Sequence, residues 1–343
     1  MPTPPLPVRD GVGPTRLRIP ADVETTVVEF LRARFPHLGH EALASRIAVG
    51  DIVGNDGTRI TEHTPASAHE FIWYYRSVPD EQRIPFDVRV LHQDEHLVVA
   101  DKPHFVPTTP GGQFLQETAL VRLRNQLGIP DLVPLHRLDR ATAGVLLFSP
   151  NPATRGAYQQ LFEHRRVTRQ YRAVIQLPAP AELYLERFPL TYRNRIIKTK
   201  GIINAEVEAY APRASGRLEA PRIGKRRRSH APTTGPNAVT DITLVSYQLN
   251  DDGALAHVAL HPRTGRTHQL RIHLAALGHG VLHDRFYPEL LEHRADDYTK
   301  PLQLLADGLA FADPLTGEHR SFTSQQTLSF APYIEPGPIH PSH

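Results

Sequence analysis

The chain has 343 residues, enough for about two domains, and its 40% apolar and 22% charged residues are typical of a globular protein. It contains no cysteine, which excludes disulfides, thiolate catalysis and cysteine-based zinc sites and leaves 20 histidines and the carboxylates as possible metal ligands. With 39 basic and 36 acidic residues, the formal charge is only +3, so nucleic-acid binding requires that basic residues cluster.

The N-terminal part of the chain predicts a tail followed by a small α+β domain. Residues 1–20 are proline-rich and lack hydrophobic periodicity, so we predict a flexible tail. Apolar residues at helical spacing follow over 22–35 and again over 40–49. The hairpin signal NDG at 55–57 comes next, flanked by short β-prone runs. We therefore assign 21–83 to one small domain.

From residue 84 onward, β-prone segments predominate, and we assign 84–330 to a second domain. The patterns predict strands, helices and a terminal hairpin at the following places: strands over 86–91, 97–100, 144–149, 169–176 and 255–260, a helix starting near Asn151-Pro152, a helix over 267–277, and a hairpin joining 304–312 to 320–327. Residues 331–343 are predicted to be a second flexible tail.

The segment 211–237 interrupts the second domain and has almost no apolar residue. It contains four basic side chains in series: Lys225, Arg226, Arg227 and Arg228. Such a segment cannot pack a core. It is either a solvated flexible loop or a mobile arm that screens phosphate charge, because clustered lysines and arginines release counterions from nucleic acid.

The densest group of ionisable residues is the string HRLDRATAG at 136–144, which leads directly into a predicted strand. Asp139 lies between Arg137 and Arg140, and neighbouring guanidinium groups favour the ionised carboxylate. Asp139 is therefore a candidate nucleophile or base. The alternative is that it only pairs with its neighbours in a surface loop.

A second candidate site is the string RTGRTHQLRIH at 263–273, a basic turn that runs into an amphipathic helix. Arg271 is predicted at the boundary of the core, where a half-buried guanidinium requires a carboxylate, and Asp139 is a natural candidate. An exposed, snorkelling side chain is the alternative. His268 and His273 are five residues apart on diverging faces, so we expect packing or hydrogen bonding from them rather than metal binding.

Four strings together resemble the successive motifs of the RluA family of RNA pseudouridine synthases: DEHLVVADKPHFVPTTPGG, HRLDRATAGVLLFS, TRQYRAVI and RTGRTHQLRIHLAALGHGVLHDRFYP. They occur in the family's order. The N-terminal domain resembles an alpha-L RNA-binding domain through its two helices and the string IAVGDIVGNDGTRI. The resemblance implies an α+β protein in which a small alpha-L-like domain precedes a catalytic domain with the pseudouridine synthase fold. That fold has a mixed, mostly antiparallel sheet with flanking helices.

The resemblance also implies three catalytic residues. Asp139 matches the family's essential aspartate, Tyr171 the tyrosine stacked in the active site, and Arg271 the arginine that pairs with the aspartate. Conversion of uridine to pseudouridine breaks the N-glycosidic bond, rotates the base and rejoins it through C5, so the carboxylate acts covalently on either the sugar or the ring. A base must then remove a proton. Tyr171 is the candidate, and an ordinary cross-strand contact is its alternative role.

RNA is the expected partner, and basic residues are expected to hold it. The uridine must leave its stack, at a cost of a few kcal/mol, and side chains near the pocket must hold the phosphates. We predict that His136, Arg137 and Arg140 lie at the pocket rim. The other predicted RNA contacts are Lys102, Arg263, Arg266, His268, Lys225, Arg226, Arg227 and Arg228.

The remaining expectations concern cofactors, compartment and rival functions. Substrate and product have the same atoms, so no cofactor or metal is expected. No apolar run approaches the ~18 residues of a membrane span, and the start lacks the apolar stretch of a secretion signal, so we expect a cytoplasmic protein. The absence of an obvious coiled coil favours a monomer, and the resemblance of the C-terminal motif implies ribosomal or transfer RNA as the substrate. Three alternatives stay open. They are an RNA-binding protein of the same fold without turnover, a hydrolase that uses Asp139 with a second carboxylate, and a histidine-metal nuclease.

Overall fold

The computed structural model describes residues 4–36, 38–77, 81–198, 206–207, 235–291 and 295–329. The chain divides into two compact units, the first built from 1–83 with 109–131 and the second from 84–108 with 132–343. The basic segment Lys225 to Arg228 and the C-terminal residues 331–343 lie outside the described residues. No described helix is long and apolar enough to cross a membrane.

The first unit combines three helices with a three-stranded antiparallel sheet in the order β1-β3-β2. Its elements are β1 (Thr15–Arg18), α1 (Val27–Arg34), α2 (His40–Ala48), β2 (Ile52–Gly54), β3 (Phe71–Tyr74) and α3 (Ala119–Leu127). The prediction of a flexible tail over 1–20 is wrong for its C-terminal part. There β1 pairs with β3, and Ile19 is buried in the core of this unit.

Local sequence signals explain where the predicted helices and turn of this unit form. A capping box starts α1: the Thr26 hydroxyl accepts from the Glu29 backbone N–H at 3.2 Å, and the Glu29 carboxylate accepts from the Thr26 N–H at 3.0 Å. The NDG turn closes through a hydrogen bond from the Gly54 N–H to the Thr58 carbonyl at 2.8 Å. An antiparallel bridge between Val53 and Arg59 pairs the two sides of this turn, as the hairpin signal predicts, while β2 has β3 as its strand neighbour.

The segment 109–131 belongs to the first unit, although the sequence analysis assigned it to the second domain. The Glu81 carboxylate accepts hydrogen bonds from the backbone N–H groups of 115–117 at 2.7 to 2.9 Å. Arg124 donates to the Gly11 carbonyl at 3.0 Å. These long-range contacts, which no local pattern announces, fix the segment.

The second unit contains twelve of the described strands and three of the described helices. They are β4 (Arg89–Gln93), β5 (Val98–Lys102), β6 (Val133–Pro134), β7 (Ala143–Ser149), α4 (Arg155–Glu163), β8 (Thr168–Pro178), α5 (Glu182–Leu185), β9 (Leu190–Asn194), β10 (Ile196–Ile197), β11 (Glu206–Val207), β12 (Ala238–Asn250), β13 (Gly253–Pro262), α6 (Gln269–Ala276), β14 (Leu304–Ala312) and β15 (His319–Thr323).

Ten of these strands form one sheet within the described residues. Its path is β4-β5-β7-β14-β8-β13-β12-β9, with β6 beside β7 and β15 beside β14. The pair β7 and β14 is parallel and the other pairs are antiparallel. The predicted α+β class with a mixed, mostly antiparallel sheet is confirmed, as is the hairpin of β14 and β15.

The core of this sheet holds the elements that carry the site. On β8 the side chains of Ala173 and Ile175 are fully buried, and α6 packs Leu270 and Leu274 into the same cluster. Their burial follows from alternation on the strand and from helical spacing on α6, because each element turns one apolar face to the core.

Gly144 fixes the start of β7, where it approaches β14. Its φ is +114°, and a Cβ at this position would lie 2.2 Å from the Ala306 carbonyl oxygen. Only glycine fits such a close backbone approach. The turn that precedes Gly144 therefore leads into the centre of the sheet with a fixed direction.

Candidate active site

Asp139 lies in the turn between β6 and β7. A hydrogen bond from the Thr142 N–H to the Asp139 carbonyl, 3.1 Å long, closes this turn. The buried Thr108 hydroxyl donates to the Leu138 carbonyl at 2.9 Å and accepts from the Leu138 N–H at 3.2 Å. Hydrogen bonds thus hold the backbone of this turn on both sides of Asp139. We call residues 138–142 the catalytic turn.

The end of β5 and the loop that follows it hold the backbone of the catalytic turn by hydrogen bonds. Lys102 donates from Nζ to the Arg140 carbonyl at 3.3 Å and to two carbonyls of its own loop, those of Pro103 and Val106, at 2.9 and 2.8 Å. His104 Nδ1 donates to the Ala141 carbonyl at 2.7 Å. Lys102 at the end of β5, with His104 and Thr108 of the loop after it, thereby donates to three backbone carbonyls of the turn.

Lys102 differs from the sequence prediction, which made it an RNA contact. Its side chain is 0% exposed, so RNA cannot reach it, and its ammonium group instead binds a carbonyl of the turn. Burial lowers the pKa of Lys102 from 10.5 to about 7, and the negative charge of Asp139 opposes that shift.

The structure brings Arg271 to Asp139, as the sequence predicted. Arg271 Nη1 lies 3.5 Å from Asp139 Oδ2, and Arg271 is 3% exposed while the Asp139 side chain is 31% exposed. The guanidinium is therefore buried, not merely at the boundary of the core. It approaches a carboxylate that remains open to solvent and hence to a substrate.

A second carboxylate, which the sequence analysis did not identify, holds Arg271 more tightly. Asp284 accepts from Arg271 Nε at 2.7 Å and from Nη2 at 2.6 Å, and its side chain is 0% exposed. Burial alone would lower the pKa of Arg271, but the hydrogen bonds and charge of Asp284 raise it above its ordinary value. The bidentate pair leaves Nη1 directed toward Asp139.

The segment after α6 completes this arrangement. Asp284 also accepts from the backbone N–H groups of Phe286 and Tyr287 at 2.8 and 3.2 Å. The rings of these two residues lie under the Arg271 guanidinium, 4.9 and 5.4 Å from its carbon. Asp284, Phe286 and Tyr287 stand in the last quoted motif string, so the sequence contained the signal without revealing the contact.

His268 contacts the same carboxylate from the end of the basic turn. It directly precedes α6, and its φ of +56° is left-handed. Its Nε2 lies 3.8 Å from Asp139 Oδ1, and its Nδ1 is 2.9 Å from the Tyr287 hydroxyl. Burial lowers the pKa of His268, and the charge of Asp139 opposes the shift.

Tyr171 lies on β8 opposite Leu260 of β13 and packs with Ala141 of the catalytic turn against the core. Burial raises the pKa of the Tyr171 phenol, the nearby Arg169 opposes the shift and the charge of Asp139 adds to it. The phenol is therefore protonated at neutral pH. It is close enough to Asp139 to sense its charge, as expected of an active-site residue.

The three residues predicted at the pocket rim differ from one another. Arg137 is exposed, and Arg140 forms an ion pair with Asp296. His136 accepts from the Leu147 N–H at 3.1 Å, stacks on a neighbouring phenylalanine ring, and has its pKa lowered by burial to about 3. The His136 ring is partly exposed, and its predicted role as an RNA contact stays a prediction.

Arg263 and Arg266 of the basic turn are exposed. Arg263 forms two hydrogen bonds with Asp241, at 2.6 and 3.0 Å, and Arg266 donates to the Asn237 carbonyl at 3.3 Å. Both guanidinium groups stay accessible to an anion from solvent. Their predicted role as RNA contacts, like that of the basic segment outside the described residues, stays a prediction.

His273 has the packing role that the sequence predicted. It is fully buried, with Nδ1 2.9 Å from the Thr240 hydroxyl and Nε2 2.8 Å from the Asn194 side-chain oxygen. Across the described ranges, no group of three His, Asp or Glu side chains is placed to hold a metal ion.

Comparisons with known proteins identify a family that this chain resembles. The RNA pseudouridylate synthase family model matches residues 96–276. The dual-specificity RNA pseudouridine synthase RluA of Salmonella typhimurium is 30% identical over 68% of this chain and 90% of its own length. Ribosomal large subunit pseudouridine synthase D of Xylella fastidiosa is 29% identical over 74% of this chain and 68% of its own length.

Among solved structures, human RNA pseudouridylate synthase domain containing 1 aligns with a TM-score of 0.51 and 23% identity, over 70% of this chain and 84% of that one. This is a likeness of fold. The family match contains Asp139, Tyr171 and Arg271, whereas Asp284 lies beyond its end.

Proposed function

The chain belongs to the RluA family of RNA pseudouridine synthases, and from that premise we propose that it isomerises specific uridines of ribosomal or transfer RNA with Asp139 as the covalent catalyst. The enzyme class, an RNA pseudouridine synthase, follows from the family. The RNA and the role of each side chain are the proposal.

One observation carries it: the half-exposed Asp139 carboxylate lies 3.5 Å from the buried Arg271 guanidinium, in a turn whose backbone is held by Lys102, His104 and Thr108. A nucleophile has to be ionised, oriented and accessible. The guanidinium places a positive charge beside the carboxylate, the hydrogen bonds to its turn orient it, and its exposure leaves it open to a flipped nucleoside.

The reaction uses these groups in sequence. The N1–C1′ bond of the uridine breaks while Asp139 acts covalently on either the sugar or the ring, and the base turns so that C5 faces C1′. The C5–C1′ bond then forms, the covalent bond to Asp139 breaks and returns its carboxylate, C5 loses its proton and N1 gains one. Arg271 keeps a positive charge beside Asp139 throughout, because Asp284 binds its other two nitrogens.

RNA is proposed to bind through exposed and displaceable arginines. Arg137 is exposed, and Arg140 pairs with Asp296 on a partly exposed surface, where a phosphate can replace the carboxylate. Arg263 and Arg266 extend this basic character along the turn that leads to α6. The similarity to a dual-specificity and to a ribosomal enzyme supports a structured RNA as substrate.

The hydrolase alternative requires a second carboxylate that can take part in the chemistry. Asp284 is near, since it shares Arg271 with Asp139, but it is fully buried, and its oxygens accept from Arg271 and from two backbone N–H groups. A carboxylate in that state cannot activate water, which argues against a paired-carboxylate glycosidase. An RNA-binding protein without turnover stays as the second candidate.

The experiment that tests the proposal is a map of carbodiimide-detected pseudouridines in total RNA from cells with and without the gene. We expect at least one pseudouridine to disappear on deletion and to return with the native gene but not with Asp139→Asn. An identical map in all strains would contradict the proposed reaction and favour the binding protein.

A further inference from the structure

We infer that His268 is a catalytic residue, the base that removes the C5 proton of the uracil ring and the acid that returns a proton to N1. The inference rests on the proposed function, because it places the substrate beside Asp139. It gives His268 a different function from the RNA contact that the sequence predicted.

The position of the ring is the first observation. His268 Nε2 faces Asp139 Oδ1 at 3.8 Å, which is too long for a hydrogen bond, so this nitrogen faces the carboxylate without being held by it. The side chain is 11% exposed, beside a carboxylate that is 31% exposed. A nucleoside that reaches Asp139 therefore also reaches Nε2.

The fixation of the ring is the second observation. Nδ1 pairs with the Tyr287 hydroxyl at 2.9 Å, and the ring packs against Phe286 and Tyr287 with centroids 5.9 and 5.7 Å away. The Tyr287 partner fixes the orientation of the imidazole, as second partners of functional histidines do. His268 and Arg271 are thus both positioned by one segment, which carries Asp284 at its start.

The backbone is the third observation. A φ of +56° at a residue with a full side chain costs about 1–2 kcal/mol, and such strain persists where the surroundings impose it, typically at active sites. Here the left-handed residue is the one whose ring faces Asp139.

The proton balance shows what His268 can do. After C5 bonds to C1′, C5 carries both the sugar and its hydrogen. When Asp139 acts on the sugar, formation of the C5–C1′ bond releases its carboxylate from C1′ and leaves a C6=N1 double bond. Nε2 takes the C5 proton, the C–H electron pair forms the C5–C6 double bond, and the π electrons of C6=N1 move to N1. When Asp139 acts on C6 of the ring, N1 keeps the electron pair of the broken glycosidic bond, and removal of the C5 proton forms the C5–C6 double bond while the C6–O bond breaks and the carboxylate leaves. In both cases protonated Nε2 gives its proton to N1, which restores the neutral imidazole.

Within the described residues, the charged and titratable groups that face His268 are Asp139, Arg271, Lys198, Asp284 and Tyr287. Burial lowers the pKa of His268, so its ring is neutral and able to accept a proton at pH 7. Burial raises the pKa of Tyr171, so its phenol is a poor base at the same pH. Of the two, the imidazole suits proton removal better.

The test compares single-turnover isomerisation of ribosomal and transfer RNA transcripts made with uridine or with 5-deuterouridine. The variant is His268→Asn, because asparagine tolerates a left-handed backbone and can bond to Tyr287 but cannot carry a proton. His283→Asn is the matched control: His283 is exposed, has a φ of +65° and lies outside the site. Circular dichroism and melting temperature verify that both variants fold.

We expect His268→Asn to slow isomerisation by about 10²–10⁴-fold and to show a larger C5 deuterium isotope effect than the native enzyme, while His283→Asn matches the native enzyme. In His268→Gly, which also fits the left-handed backbone, added imidazole should restore part of the rate, increasingly as pH rises through the imidazole pKa.

Several results would overturn the inference. A native rate in His268→Asn would do so directly. A slower rate with an unchanged isotope effect would make His268 a positioning residue for Asp139. Weaker RNA binding with an unchanged rate constant would make it an RNA contact. The proposed function fails differently, through absence of any pseudouridine with the native enzyme or through full activity of Asp139→Asn.

Discussion

Replacement of Asp284 tests whether the buried ion pair holds the active site together. In Asp284→Asn the Arg271 guanidinium, 3% exposed, loses the charge that offsets its burial and one of two strong hydrogen bonds. Removal of one partner of a buried pair costs about 3–5 kcal/mol, because the remaining charge is left uncompensated. At about 2–4 °C per kcal/mol for a domain of this size, we expect the melting temperature to fall by about 6–20 °C.

The matched variant is Asp139→Asn, which removes the other carboxylate that faces the same guanidinium. Asp139 is 31% exposed and 3.5 Å from Arg271, so this pair is expected to contribute less than about 1 kcal/mol. Differential scanning calorimetry of the native protein and both variants measures the contrast. Equal melting temperatures for the two variants, or a loss below about 1 kcal/mol in Asp284→Asn, would refute the view that Asp284 holds Arg271 in place.

Further predictions concern pH and backbone fit. The pKa of lysine is 10.5 in the unfolded chain, whereas burial lowers the pKa of Lys102 to about 7 in the folded protein. The unfolded state therefore binds more protons between these two pH values, and the unfolding free energy should rise with pH over that range. Lys102→Met should flatten this rise in urea titrations. Burial lowers the pKa of four histidines to about 3 to 4: His104, His136, His273 and His279. The unfolding free energy should fall as pH drops from 6.5 toward 4, because the unfolded chain binds protons in this range that the buried rings do not bind. A flat profile would contradict this prediction. Gly144→Ala should prevent or severely weaken folding, because the added methyl group clashes with the Ala306 carbonyl. Gly156→Ala, in open space on a helix, should stabilise the protein by about 0.5–1 kcal/mol. Equal melting temperatures for the two variants would contradict the clash.

The sequence predicted those parts of the site that depend on local patterns. Alternation placed Tyr171 on a strand, helical spacing placed Arg271 on a helix beside the core, and the unusual charge density around Asp139 marked the turn. Pairing of Arg271 with Asp139 followed from the requirement that a buried guanidinium has a carboxylate. That requirement names the type of partner but not which carboxylate provides it.

What the sequence did not predict depends on long-range contacts. Asp284 reaches Arg271 because the chain turns back after α6, and Lys102 is buried because the catalytic turn covers it. Strand β1 forms within the predicted tail because it finds β3 more than fifty residues later in the chain. Its polar, proline-flanked sequence shows no alternation strong enough to predict that pairing.

The central claim is that Asp139 performs the covalent step, and the most direct measurement is pseudouridine formation by purified native enzyme and Asp139→Asn on the RNA identified by the deletion map. Nuclease digestion and mass spectrometry quantify the product, and a binding assay on the same RNA runs beside it. We predict that the variant binds RNA, melts within a few degrees of the native protein and forms no pseudouridine. Pseudouridine formation by Asp139→Asn at a rate near that of the native enzyme would contradict the account.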